Sequence, residues 1–166
     1  MTDTGSRATG VLDLVVIGAG AVGFLSSLFP WYSSSASVFG FGGSVSVNAW
    51  DAGPSAWLAV LLLTGAGIVA LVAVVSPARS VPTWLPLLPA VLTTIAALSL
   101  LARWVSWSND DNSVNGLEGA RFSGSWLGGL VEASAGPEPG FYVALVAVLV
   151  GLVASWLAAR RTSWRP

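Results

Sequence analysis

The sequence predicts an all-α membrane protein: a four-helix transmembrane bundle with both termini cytoplasmic and small β-hairpin-like outer loops. Three observations carry that expectation. Four long apolar segments, at 11–30, 56–76, 84–101 and 141–159, each have about the length needed to cross a hydrocarbon core ~30 Å thick. None has an ionisable side chain near its centre. The 166 residues are 54% hydrophobic and 9% charged, whereas soluble domains carry roughly 25% charged residues.

The arginines set the orientation. Arg7, Arg79, Arg160, Arg161 and Arg165 fall in the N-terminal tail, the 77–83 connection and the C-terminal tail. The first and third connections hold Asp51, Asp110, Asp111, Glu118, Glu132 and Glu138 against only Arg103 and Arg121. Because basic loops stay in the cytoplasm, the expected layout is a cytoplasmic tail at 1–10, a four-span domain at 11–159 with outer loops 31–55 and 102–140, and a cytoplasmic tail at 160–166. That places the chain in the plasma membrane, with the lipid bilayer as its first partner.

Taken in order, residues 1–10 are small and polar. The first span ends at Pro30, and its length and weakly basic flank favour an uncleaved helix over a secretory signal peptide. In 33–55, Ser37-Val38-Phe39 and Ser44-Val45-Ser46-Val47 alternate around Gly40-Phe41-Gly42-Gly43, a hairpin pattern with glycines at the turn. A two-stranded hairpin is marginal alone, so it must rest on the bundle's outer end or pair with the other loop. The connection 77–83 is short, which makes spans two and three antiparallel neighbours. Pro86 and Pro89 sit in the first turns of span three, where a missing N–H costs little. In 105–140, loose alternation over 121–127 and frequent glycine predict some strand. Arg160 and Arg161 close span four.

Most tryptophans fall at expected interfaces, where an amphipathic ring anchors a helix at headgroup level. Trp31, Trp57, Trp104 and Trp107 are outer; Trp84 and Trp164 are inner. Trp50 and Trp126 lie in the two outer loops, where they either pack on each other or contact a partner.

Small residues recur every four positions on two spans: Ala19, Gly23 and Ser27 on the first, and Ala147, Gly151, Ser155 and Ala159 on the fourth. Such stripes let helix backbones approach closely in lipid. They predict that spans one and four pack together, with self-association between protomers as the rival use. The same glycines complete Gly18-x-Gly20-x-x-Gly23, which fits a dinucleotide-binding fingerprint. The context argues against that use: no acid lies about 20 residues on, and the following segment is no second strand. No cofactor is expected.

Absent residue types exclude much chemistry. The chain has no Cys and no His, which removes thiolate chemistry and the commonest metal ligand and general base. Asp111-x-Ser113-x-Asn115-Gly116 resembles the first half of a calcium loop, with Glu118 as a displaced acidic ligand. Phe122 stands where the bidentate Glu belongs, so a solvated polar turn is the simpler expectation and no metal site is assigned.

Phe29-Pro30-Trp31, Asn48-Ala49-Trp50-Asp51-Ala52-Gly53 and Gly140-Phe141-Tyr142 together resemble a pattern of uncharacterised small four-span membrane proteins common in high-GC bacteria. The resemblance implies four spans and no activity. In outline the layout is also similar to claudins, although the Trp and paired-Cys signature of their first loop is missing. The expected function is therefore non-enzymatic: a scaffold or accessory subunit of the cell envelope, contacting another membrane protein or a second copy of itself, and no nucleic acid. Two alternatives are a subunit of an oligomeric small-solute channel or carrier, and a membrane enzyme using the outer carboxylates Asp51, Asp110, Asp111 and Glu118.

Overall fold

The structure is a computed structural model that describes residues 4–38, 41–76, 84–122 and 131–163. Four helices carry the fold: α1 (Thr4–Ser26), α2 (Pro54–Val75), α3 (Leu88–Phe122) and α4 (Pro139–Ser163). A single 3-10 turn, Leu85–Leu87, leads into α3. Three short strands, β1 (Tyr32–Val38), β2 (Phe41–Val47) and β3 (Val131–Pro137), form one antiparallel sheet in the order β2-β1-β3.

The helices form a ring in chain order. α1 packs on α2 and α4, α2 on α3, and α3 more sparsely on α4. Successive helices run antiparallel, so both connections that supply strands emerge at one end, and the termini and the 77–83 connection lie at the other. Within the described residues, Pro54–Val75, Leu88–Trp107 and Pro139–Arg161 are long and apolar enough to cross a membrane. The apolar part of α1, Gly10–Ser26, is shorter.

Alanine, not leucine, fills most of the interior. Ala56, Ala59, Ala66, Ala70, Ala90, Ala96, Ala144 and Ala154 are buried, while Leu14, Leu28, Ile68, Leu98, Val146 and Val153 stand outward and exposed. Small inward side chains bring helix axes close, and the closest approach is between α1 and α2. A methyl group added to Gly20 would lie 3.1 Å from the Gly67 Cα, and one added to Gly67 would lie 3.2 Å from the Gly20 Cα. Gly20, part of the apparent dinucleotide fingerprint, is thus a helix-crossing residue inside a helix.

Several boundaries differ from expectation. The first helix stops at Ser26 and not at Pro30, because the hydroxyls of Ser26 and Ser27 donate back to the carbonyls of Gly23 (2.7 Å) and Phe24 (2.6 Å) and the chain then turns into the sheet. The hairpin forms in a different register: Phe41 already pairs with Val38, and Gly42 and Gly43 lie in β2 rather than in the turn. The largest correction concerns 102–140. The backbone continues as helix through Phe122, where loop and strand were expected. No proline interrupts this stretch, and each residue added to an existing helix gains a hydrogen bond without new nucleation. The strand in this connection is β3, and it pairs with β1 along its whole length, from Tyr32–Pro137 to Val38–Val131. The hairpin therefore gains its third strand from the other outer connection.

Candidate functional site

Two features stand out at the end of the bundle that carries the sheet: a closed aromatic plug and an open groove beside it.

Trp31 anchors the plug. The sequence placed it at an interface, but its side chain is completely buried. Its indole N–H donates to the Ser26 carbonyl at 2.9 Å, so the polar edge is satisfied by backbone rather than by headgroups. Its own backbone N–H donates to Val47 (2.8 Å), and its carbonyl accepts from Glu138 N–H (2.9 Å). One residue thereby ties together the end of α1, the end of β2 and the start of α4.

Phe141 is the hub around which the other rings pack. Its ring meets Trp31, Trp104 and Trp107 edge-to-face, at centroid distances of 5.8, 5.7 and 5.1 Å. Tyr32 stacks on Trp107 at 4.9 Å, and the Arg103 guanidinium lies 4.7 Å above the same Trp107 ring. Each such pair adds about 0.5–1.5 kcal/mol beyond area burial. Trp107, also expected at an interface, is buried here, because β1 brings Tyr32 over it. Trp57, Trp84 and Trp104 do present exposed surface, as anchors require. Trp50 is exposed, while Trp126 and Trp164 lie outside the described residues.

Turn chemistry holds the first connection against this plug. The Asn48 side-chain oxygen accepts from the backbone N–H groups of Trp50 (2.9 Å) and Asp51 (3.2 Å). Gly53 then takes φ +110 before Pro54 opens α2, a conformation open to glycine at little cost. At the start of α4, Gly140 is indispensable: a methyl there would lie 2.5 Å from the Pro30 carbonyl and 2.9 Å from the Trp31 ring.

The small-residue stripes of α1 and α4 divide their contacts. A methyl added to Gly151 would lie 3.2 Å from the Ala19 Cβ, so these two positions meet across the α1–α4 seam. Gly23 instead abuts the Leu63 side chain on α2. Ser155 turns to α3, where its hydroxyl shares a hydrogen bond of 2.9 Å with Thr93. Ser27 is buried at the end of α1, and its carbonyl accepts from Ala49 N–H at 3.3 Å.

Along the same seam an apolar groove is open to the outside. Its upper part, about 480 Å³, is bounded by Val22, Leu25, Phe29, Pro30, Val143 and the carboxylate-bearing Glu138. Its lower part, about 470 Å³, is floored by Ala19 and Ala147 between Val22, Val143, Val146 and Val150. Val22 and Val143 belong to both. The Glu138 carboxylate accepts a hydrogen bond of 2.5 Å from the Ser33 hydroxyl, so a strand and a helix start share this acid.

The calcium-like run Asp111, Ser113, Asn115 and Glu118 lies on helical backbone, which lacks the loop that converging ligands need; its side chains are outside the described residues. Among the described residues, no three His, Cys, Asp or Glu side chains cluster as metal ligands. Sequence reasoning missed Glu138 and Phe141 as structural centres. The cue was present in the tight run Gly136-Pro137-Glu138-Pro139-Gly140-Phe141. No protein-family model matches the chain, and no curated protein sequence matches it.

Proposed function

We propose that this chain is a four-span protein of the plasma membrane that acts by contact, as a scaffold or accessory subunit of the cell envelope. Both termini are cytoplasmic and the sheet stands outside.

The observation that carries the proposal is the inverted distribution of side-chain size. Exposed leucine, isoleucine and valine around a core of alanine and glycine would be costly in water, at about 25 cal/mol per Å² of apolar area. The same arrangement costs nothing in lipid, where close packing of small residues holds helices together. The orientation follows from Arg160 and Arg161, which end α4 at the pole opposite the sheet.

A role by contact is supported by how the bundle closes. Thr93 and Ser155, buried within it, bond to each other and back to their own helices, which leaves them occupied rather than aimed at a solute. The aromatic plug covers the sheet end. Beyond it a three-stranded sheet and the extended α3 present a shaped outer surface.

The chain has no native Cys, so single cysteines test the arrangement cleanly. A membrane-impermeant maleimide should label Ser44→Cys in intact cells and Arg161→Cys only after permeabilisation. Crosslinking with mass spectrometry in native membranes should then recover a stoichiometric partner. The reverse labelling pattern would defeat the orientation, and solute flux through vesicles holding the purified chain would defeat the contact role.

A further inference from the structure

We propose that the α1–α4 groove binds one phospholipid from the leaflet at the sheet end, selected for a primary-amine headgroup. This rests on the membrane assignment above and adds a ligand to it.

The groove has the length of a lipid tail's path through one leaflet. From Glu138 to Val150, α4 rises roughly 18 Å at about 1.5 Å per residue, against roughly 15 Å for half a hydrocarbon core. Its two hollows are continuous through Val22 and Val143. Ala19 and Ala147 keep its floor low, so an acyl chain can lie between the helices rather than over them.

The mouth of the groove carries charge, which an acyl chain alone does not need. Glu138 borders the upper hollow, its carboxylate receives the Ser33 hydroxyl, and among the described residues no cationic side chain forms a salt bridge with it. A negative group just ahead of the first turn of α4 is also well placed against the helix dipole. The complement is a cation with N–H donors at headgroup depth. An ethanolamine ammonium offers three such donors, a choline headgroup offers none, and a glycerol headgroup leaves the lipid anionic and repelled. The order of preference is therefore ethanolamine over choline over glycerol phospholipids.

Native mass spectrometry of the full chain, released from micelles with equimolar ethanolamine, choline and glycerol phospholipids of identical tails, reads this directly. The expected spectrum shows one ethanolamine lipid retained per chain, favoured over the glycerol lipid by about tenfold, as one charge-assisted hydrogen bond allows. Glu138→Gln should abolish the preference. Val146→Trp, on an exposed wall position, should block retention without lowering thermal stability. Equal retention of the three lipids, a preference that survives Glu138→Gln, or a lipid-free dimer with the groove filled by a second copy would each overturn the proposal. A chain that stayed monodisperse without detergent would instead fell the membrane assignment, and this inference with it.

Discussion

The hydroxyls of Thr93 and Ser155 meet at 2.9 Å across the seam between α3 and α4, the most sparsely packed neighbouring pair in the ring. Thr93 also returns a hydrogen bond to Pro89 at 2.9 Å, and one turn away the Trp156 indole donates to Thr94 at 3.1 Å. Where side-chain packing is thin, polar contacts between helices supply the specificity. Thr93→Val and Ser155→Ala should couple by about 0.6 kcal/mol, and by no more than about 1.7. A double-mutant cycle on unfolding in micelles measures the coupling, and strict additivity would show that the pair does not bond.

The α1–α2 crossing responds to size more steeply. Gly67→Ala brings a methyl to 3.2 Å from the Gly20 Cα, but alanine also gains about 1 kcal/mol of helix propensity over glycine, so the net change is small. Gly67→Leu has no such offset, because its side chain must enter between two backbones. Its expected cost is about 1–3 kcal/mol or more, read as a lower unfolding temperature in detergent. A leucine variant as stable as the parent would mean that the two helices stand apart.

Trp31 gives a graded pair of substitutions. Trp31→Ala empties a completely buried site and should cost about 3–5 kcal/mol. Trp31→Phe keeps the ring packing on Phe141 but loses the indole N–H bond to Ser26, about 0.5–1.5 kcal/mol, plus a smaller cavity. Near-ultraviolet circular dichroism should report the loss of the packed aromatic cluster in the alanine variant and its survival in the phenylalanine one. Equal losses would remove the hydrogen bond from the account.

Pairing between the two outer connections is testable by crosslinking. Ser33 and Gly136 are partners across β1 and β3, and a Cβ at Gly136 meets nothing within 4 Å. Antiparallel partners sit about 4.5–5.5 Å apart at Cα, within the range that a disulfide spans. Ser33→Cys with Gly136→Cys should oxidise to one intramolecular bond, identified by peptide mapping. Failure to form it under mild oxidation would contradict the register.

The helices were legible because their signal is additive: about twenty apolar residues in a row outweigh local detail. Boundaries were less so, since single hydroxyls at Ser26 and Ser27 decide where α1 stops. The extension of α3 beyond Trp107 was hidden for a related reason. Its polar, glycine-containing sequence has weak helix preference, and only the preformed helix behind it makes continuation favourable. Strand β3 was invisible as a strand because Val131–Pro137 has little apolar alternation; its partner, not its composition, makes it one. Trp31 and Trp107 were misplaced because an interfacial ring and a core ring look the same in sequence. Only the third dimension brings Tyr32 and Phe141 over them. Ala19 and Gly151 were legible as a helix contact, whereas Gly20 was obscured by a nucleotide-like motif.

The central position of β1 has a consequence for biogenesis. During synthesis β2 can zip onto β1 as soon as the hairpin leaves the insertion machinery, but the opposite edge must wait until α2 and α3 have both been threaded. A nascent chain whose third helix failed to cross would leave that edge open, offering unpaired backbone groups to proteases or to neighbouring strands. Completion of the sheet thus doubles as a proofreading step, certifying that two distant crossings were made in the right direction before the last helix docks.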